Sequence, residues 1–199
     1  LVGSEMCIRD SINSTFNEPF EVARQFASLD HLSDGRAAWN VVTSWDEFTG
    51  ENFRRGGYLP EDQRYVRARR FLETALQLWD SWSDDDIAAD HATGTFLADP
   101  AAGAFTRSDE QFDIAGRFPV PRSPQGRPVI FQAGDSEEGR EFAAAHADAI
   151  FSRHSTLEDG VAFYADVKGR LAAHGRSRDD LLILPAATFV LGDSCLLYT

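Results

Sequence analysis

Short apolar runs alternate with amphipathic stretches along most of the chain, the pattern of a parallel sheet whose strands are joined by crossover helices. The run Ala38-Trp39-Asn40-Val41-Val42 reads as a buried strand, and so does Pro128-Val129-Ile130-Phe131-Gln132-Ala133, which ends on Gly134. Further strands are predicted over 149–151 and 181–190, with one more ending near Ser14 and Thr15. Helices fall between them. Asn17 is placed to cap the first and Pro19 to sit in its first turn; Val22, Phe26, Leu29 and Leu32 follow at helical spacing, and Gly35 suits the position just past the end. In the second, Tyr65, Ala68, Leu72, Ala75, Trp79 and Trp82 step by threes and fours into one apolar face. That leaves Arg64, Arg67, Arg70 and Glu73 for water. A third helix is predicted over 136–146. A fourth starts with Ser155 and Glu158 as a capping-box pair and turns Leu157, Val161, Tyr164, Val167 and Leu171 inward.

The periodicity fails between Asp84-Asp85-Asp86 and Pro128, a stretch containing Gly94, Pro100, Gly103 and Gly116. So long a break inside a compact domain predicts a functional loop or an insertion with its own packing. The remainder reads as about five consecutive strand–helix units of a (β/α)8 barrel, or as part of an open doubly wound sheet. In both architectures functional residues lie where strands end and loops begin. Those ends are polar here: Asn13, Ser14, Thr15 and Asn17, then Asn40, Thr43 and Ser44, then Gln132, Gly134, Asp135 and Ser136. In the last group a glycine and a serine precede a helix, so backbone N–H groups and the helix dipole can cradle a phosphate. The alternative is that Ser136 simply caps the helix, and an inward Asp135 carboxylate would repel an anion.

Composition narrows the function classes. The 199 residues carry a formal net charge of -13 with no basic stripe, which argues against a nucleic-acid partner. No apolar run approaches the roughly 18 residues of a membrane span, and the first residues do not read as a signal peptide; the expected location is cytoplasmic. Cys7 and Cys195 form neither a disulfide framework nor a metal motif. His31, His91, His146, His154 and His174 are scattered without ligand spacing, so no metal is expected. No G-x-S-x-G and no paired catalytic carboxylates appear, and no side chain is singled out as catalytic. Trp39, Trp79 and Trp82 read as core, and the three aspartates at 84–86 as a solvated turn.

Four blocks carry a resemblance: STFNEPFEVARQFASLDHLSDGRAAWNVVTS, EDQRYVRARRFLETALQLWDSW, VPRSPQGRPVIFQAGDSEEGREFAA and FYADVKGRLAAHGR. In this order they resemble the nitrilotriacetate monooxygenase branch of the bacterial-luciferase-like flavin-dependent monooxygenases, across nearly all of 12–192. The resemblance implies an incomplete (β/α)8 TIM barrel, about strands 3 to 7, with residues 84–127 as an insertion or lid. It implies reduced FMN supplied by a separate NAD(P)H-dependent flavin reductase. Oxygen activation as a flavin hydroperoxide, a small organic substrate (aminopolycarboxylate, sulfur heterocycle or alkane) and a homo-oligomeric full-length form are implied likewise. Ser14 or Thr15, Asn40, Thr43, Ser44, Tyr65, Gly134, Asp135 and Ser136 are implied as cofactor contacts. Glu61 stands where many relatives have histidine; a glutamate donates a hydrogen bond only when protonated. The alternatives are an F420-dependent oxidoreductase of the same superfamily and a truncated piece inactive by itself. Residues 1–11 and 193–199 resemble translated sequencing-adapter sequence and are expected to be non-native.

Overall fold

The computed structural model describes residues 8–44, 50–53 and 59–187. Five strands form one parallel sheet in the order β1 (Ile8–Asn13), β2 (Ala37–Val42), β7 (Val129–Gln132), β8 (Ala149–Ser152) and β9 (Leu182–Pro185). The helices are α1 (Pro19–Ser33), α2 (Glu61–Trp79), α3 (Glu137–His146) and α4 (Leu157–Arg170). Register pairs Asn13 with Val42, Asn40 with Phe131, and Gln132 with Ile150, so the carboxyl ends of neighbouring strands stand along one rim. The expected strands are all present, and the last one occupies 182–185 within the predicted 181–190; positions 188–190, like Cys7 and Cys195, lie outside the described residues.

Tryptophan fixes the layer between sheet and helices. Trp39 is fully buried, with ring centroids 5.5 Å from Phe26, 5.8 Å from Phe71 and 6.4 Å from Trp79. Among the described residues each buried indole N–H has a carbonyl: Trp39 donates to Ile12 at 3.0 Å, Trp79 to Ala23 at 3.0 Å and Trp82 to Phe118 at 2.9 Å. Leaving such a donor unpaired in a core costs on the order of 1–3 kcal/mol, so these bonds make the aromatic packing specific.

The stretch expected to lack regular structure contains two hairpins, β3 (Ile87–Asp90) with β4 (Thr95–Leu97), and β5 (Ala104–Ser108) with β6 (Asp113–Arg117). It is packed rather than loose: Ala102, Phe112 and Phe118 join the main core. Its return to the sheet is held by Asp30, which is fully buried near the end of α1. One carboxylate oxygen accepts the Ala37 N–H at 3.2 Å and the Gln125 side-chain amide at 2.5 Å; the other accepts the Gln125 backbone N–H at 3.0 Å. Burial alone pushes this carboxyl upward, but the Gln125 backbone N–H and the other donors outweigh it and hold it below the ordinary range.

Several local expectations are corrected. Asn17 does not cap α1; its amide donates to the Asn13 carbonyl, and Glu18 takes the cap position with Pro19 following. Thr156 and Asp159, not Ser155 and Glu158, cap α4, because the helix starts one residue later than its apolar spacing suggests. Leu32, Leu157, Val161 and Tyr164 are exposed; α4 buries Phe163 and Val167 against the core, with Leu171 just beyond its end. Trp82 is buried, as expected, but lies beyond the end of α2. Among the described residues no helix is long and apolar enough to cross a membrane.

Two outcomes follow from this packing. Asp30→Ala strands three N–H donors and should lower unfolding free energy by about 3 kcal/mol in a denaturant titration; Asp30→Asn, which keeps one acceptor, should cost less. A loss under about 0.5 kcal/mol for the alanine variant would refute the latch. His146, packed on Phe142 at 5.2 Å, is pushed down to about 4 by burial, with Arg69, His174 and Arg176 acting the same way and Glu73 opposing. Its native form is therefore neutral. The associated stability is complete above the unfolded value near 6.5 and is lost as pH falls from there towards 4. Melting temperature followed over that range should drop more steeply in the wild type than in His146→Gln.

Candidate functional site

A pocket of about 280 Å³ opens at the carboxyl ends of β2 and β7. β2 and the turn after it supply Asn40, Thr43 and Ser44; the first turn of α2 supplies Arg64 and Tyr65; β7 and its turn supply Gln132, Gly134, Asp135 and Ser136. A wider groove of about 470 Å³ lies between α2 and α3 and shares Tyr65 with the rim pocket. Among the described residues no end of a parallel-sheet strand lines it. Among the described residues no group of three or more His, Cys, Asp or Glu is arranged to hold a metal ion.

Seven of the nine residues implied as cofactor contacts line the rim pocket. Ser14 and Thr15 do not. Both are fully buried, and their hydroxyls donate to the Val42 carbonyl at 3.3 Å and the Thr43 carbonyl at 2.7 Å. They hold the end of β2 and the turn that carries Thr43 and Ser44. Ser44 has φ of 47°, a left-handed conformation uncommon for serine, and its carbonyl accepts a hydrogen bond from Arg64 at 2.7 Å. The Glu61 side chain lies outside the described part of the structure.

The anion-binding potential of the third strand end depends on where its charges go. Ser136 caps α3, its hydroxyl oxygen accepting the Gly139 N–H at 3.2 Å; its own hydroxyl hydrogen stays available to donate. Asp135 also lines the pocket, and its carboxylate pairs with Arg140 at 2.9 Å. Glu137 in the first turn pairs with Arg170 at 2.6 Å. Asp135 and Glu137 are thus each matched by an arginine, which favours an anion at the positive end of the helix.

Arg64 was expected in water and is instead buried, with Ser44 as partner. Arg67, expected there too, donates to the Ser14 carbonyl at 3.0 Å and the Asn17 carbonyl at 2.9 Å. Of the polar pocket residues, Arg64 was not anticipated at the site, and Gln132, named among the polar strand ends, was not implied as a cofactor contact. For Gln132 a signal existed: it is the one polar side chain in an apolar strand. Arg64 gave none, because a helical wheel assigns it to the polar side of α2.

Asn40 Oδ1 and Gln132 Nε2, both buried in the pocket, have no partner among the described residues. The Asn40 amide nitrogen is used, donating to Ser11 Oγ at 3.0 Å. Orphans of this kind cost on the order of 1–3 kcal/mol each, and a polar ligand is one way to recover that cost.

Tyr65 closes the pocket against α3. A Cβ added at Gly134 would lie 2.6 Å from the Tyr65 hydroxyl oxygen, and one at Gly139 would lie 2.9 Å from it. Two glycines therefore make the space into which this hydroxyl fits. Gly134→Ala should destabilise by about 1–3 kcal/mol through overpacking, and adding Tyr65→Phe should recover much of that loss. Strictly additive effects in the double-mutant cycle would show that the hydroxyl does not occupy this space.

The luciferase-like monooxygenase family model matches residues 11–195. Nitrilotriacetate monooxygenase component A from Aminobacter aminovorans is 43% identical over 181 residues, a match covering 91% of this chain and 40% of the relative. Among solved structures, a long-chain alkane monooxygenase superposes with a TM-score of 0.88 at 34% identity, covering 92% of this chain and 43% of that one. A riboflavin lyase solved with modified FMN and riboflavin superposes with a TM-score of 0.81 at 31% identity, covering 89% and 40%. The chain thus spans about two fifths of the length of these relatives, and its five parallel strands are an arc of their barrel. The chain belongs to the luciferase-like monooxygenase family.

Proposed function

We propose that this chain forms the cofactor-binding rim of a reduced-FMN-dependent monooxygenase that oxidises a small organic molecule with O2. The observation that carries this reading is the rim pocket itself. Two unsatisfied buried polar groups, one on each of two adjacent parallel strands, lie with a capped helix N-terminus and a buried arginine. Asn40, Thr43 and Ser44 fit the polar edges of the ring. Gly134, Ser136 and Arg64 fit the phosphate end, where a backbone without a side chain, a hydroxyl and a guanidinium suit an anionic oxygen.

Bound reduced FMN supplies the electrons for oxygen activation, so the protein's part is binding, orientation and exclusion of water. Residues 84–127, packed over α2 and the end of α1, are proposed as the substrate-facing lid. The reductant would come from a separate NAD(P)H-dependent flavin reductase, and the substrate class is an aminopolycarboxylate, a sulfur heterocycle or an alkane.

Quenching of FMN fluorescence by the purified chain tests the reading. Wild type should bind, and Asn40→Ala and Ser136→Ala should each weaken binding about tenfold, equivalent to roughly 1.4 kcal/mol. Absence of quenching by wild type would overturn the flavin assignment, and unchanged affinity in either variant would remove that residue from the site.

A further inference from the structure

In β7 the buried residues are Ile130 and Gln132, whereas Phe131 pairs with Asn40 on the other face of the sheet. The Gln132 side chain thus lies on the helix side of the strand end, next to Gly134 and the N-terminus of α3. It is only 3% exposed. Its Oε1 accepts two backbone N–H groups, from Ala133 and, at 2.7 Å, from Gly134. A site facing two N–H donors has to be the oxygen, so the amide orientation is fixed by its surroundings. Nε2 is left with two hydrogens and no partner among the described residues, and it lies 3.3 Å from the position a Cβ would take on Gly134.

We propose that Gln132 is a ligand-binding residue whose side-chain N–H donates to a phosphate oxygen at the α3 N-terminus; resting on the flavin reading above, this is the phosphate of FMN. The same side chain does two jobs. Its oxygen ties down the Ala133 and Gly134 N–H groups and so sets the turn in which Asp135 and Ser136 sit. Its nitrogen then offers the anion a donor that carries no charge. Because Ala133 and Gly134 are already used, the anion is bound by the N–H groups further into the turn, the Ser136 hydroxyl and this amide. An aliphatic residue would lose both functions, and a glutamate would keep the first and reverse the second.

That asymmetry makes the test. Gln132→Glu keeps the acceptor for both backbone N–H groups but removes the donor. Calorimetric titrations of wild type and variant with FMN, riboflavin and inorganic phosphate are compared with the melting temperatures of the free proteins. The expected result is a melting temperature within about 2 °C of wild type, FMN affinity weakened at least about tenfold, and riboflavin affinity unchanged within about twofold. Gln132→Leu should lower both melting temperature and FMN affinity. In wild type, the side-chain amide resonances of Gln132 should shift when FMN is added and remain in place with riboflavin, a readout that needs no variant to fold. Equal weakening of FMN and riboflavin would overturn the phosphate assignment, and unchanged FMN affinity together with unmoved amide resonances would overturn the role altogether. If wild type ignores FMN but is stabilised by inorganic phosphate, and Gln132→Glu is not, the flavin reading fails while the role of Gln132 stands. If wild type responds to neither ligand, both fall.

Discussion

The site exists only because β7 lies beside β2, and the interaction that secures this across the intervening residues 43–128 is the buried carboxylate of Asp30. An ionised carboxylate in a core is costly unless its oxygens are well supplied with donors. Here the supply is local on one side and remote on the other: Ala37 opens β2, and Gln125 returns the long excursion to the sheet just before β7. One side chain thus anchors both strands that form the pocket. The Gln125 amide also donates to the Ala37 carbonyl at 2.9 Å, so the two attachments reinforce each other at the foot of β2.

From this foot the strands run in register to the rim, and there the same chemistry is used in two ways. Ser14 and Thr15 spend their hydroxyls on backbone carbonyls, and Arg67 spends its guanidinium on the carbonyls of Ser14 and Asn17. These bonds make the rim rigid. Asn40 and Gln132 each commit one end of the amide to the protein and leave the other without a partner among the described residues. A half-committed amide is oriented before any ligand arrives, which lowers the entropic cost of binding. Polar strand ends thus divide into those that build the rim and those that it presents.

The sequence pattern shows the elements well and their neighbours poorly. Apolar period located α1, α2 and α3 and the strands around Trp39, Ile130 and Ile150, because burial on one face leaves a repeat that does not depend on the partner. For α4 it specified a stripe wider than the buried face. Phe163, Val167 and Leu171 meet the core, while Leu157, Val161 and Tyr164 lie on a flank the described residues leave exposed. A helix in a parallel layer carries apolar residues both for its sheet and for an adjacent helix, and spacing alone does not separate the two. Arg64 and Arg67 misled in the opposite direction: at the rim end of α2 the first is buried and the second half-buried, where loop carbonyls from Ser44, Ser14 and Asn17 accept from them. Those carbonyls belong to other elements, so no local pattern announces them. The site was legible as strand-end polarity and as family resemblance; the division of labour among its side chains was not.

The overall charge of -13 bears on the phosphate proposed at the rim only through distance. At physiological salt, charges separated by more than about 8 Å are largely screened, so the groups around the α3 N-terminus decide the local potential. Asp135 is matched by Arg140, which also reaches Asp166 at 3.0 Å; Glu137 is matched by Arg170, which engages Asp166 and Glu141 as well. Two arginines thus draw the neighbouring carboxylates into one network on the α3–α4 surface. The helix dipole and neutral donors remain at the pocket. Because exposed pairs contribute little to stability, the network is better understood as charge management for the site than as a staple for the fold. An acidic chain can present an anion site in this way without becoming basic anywhere else.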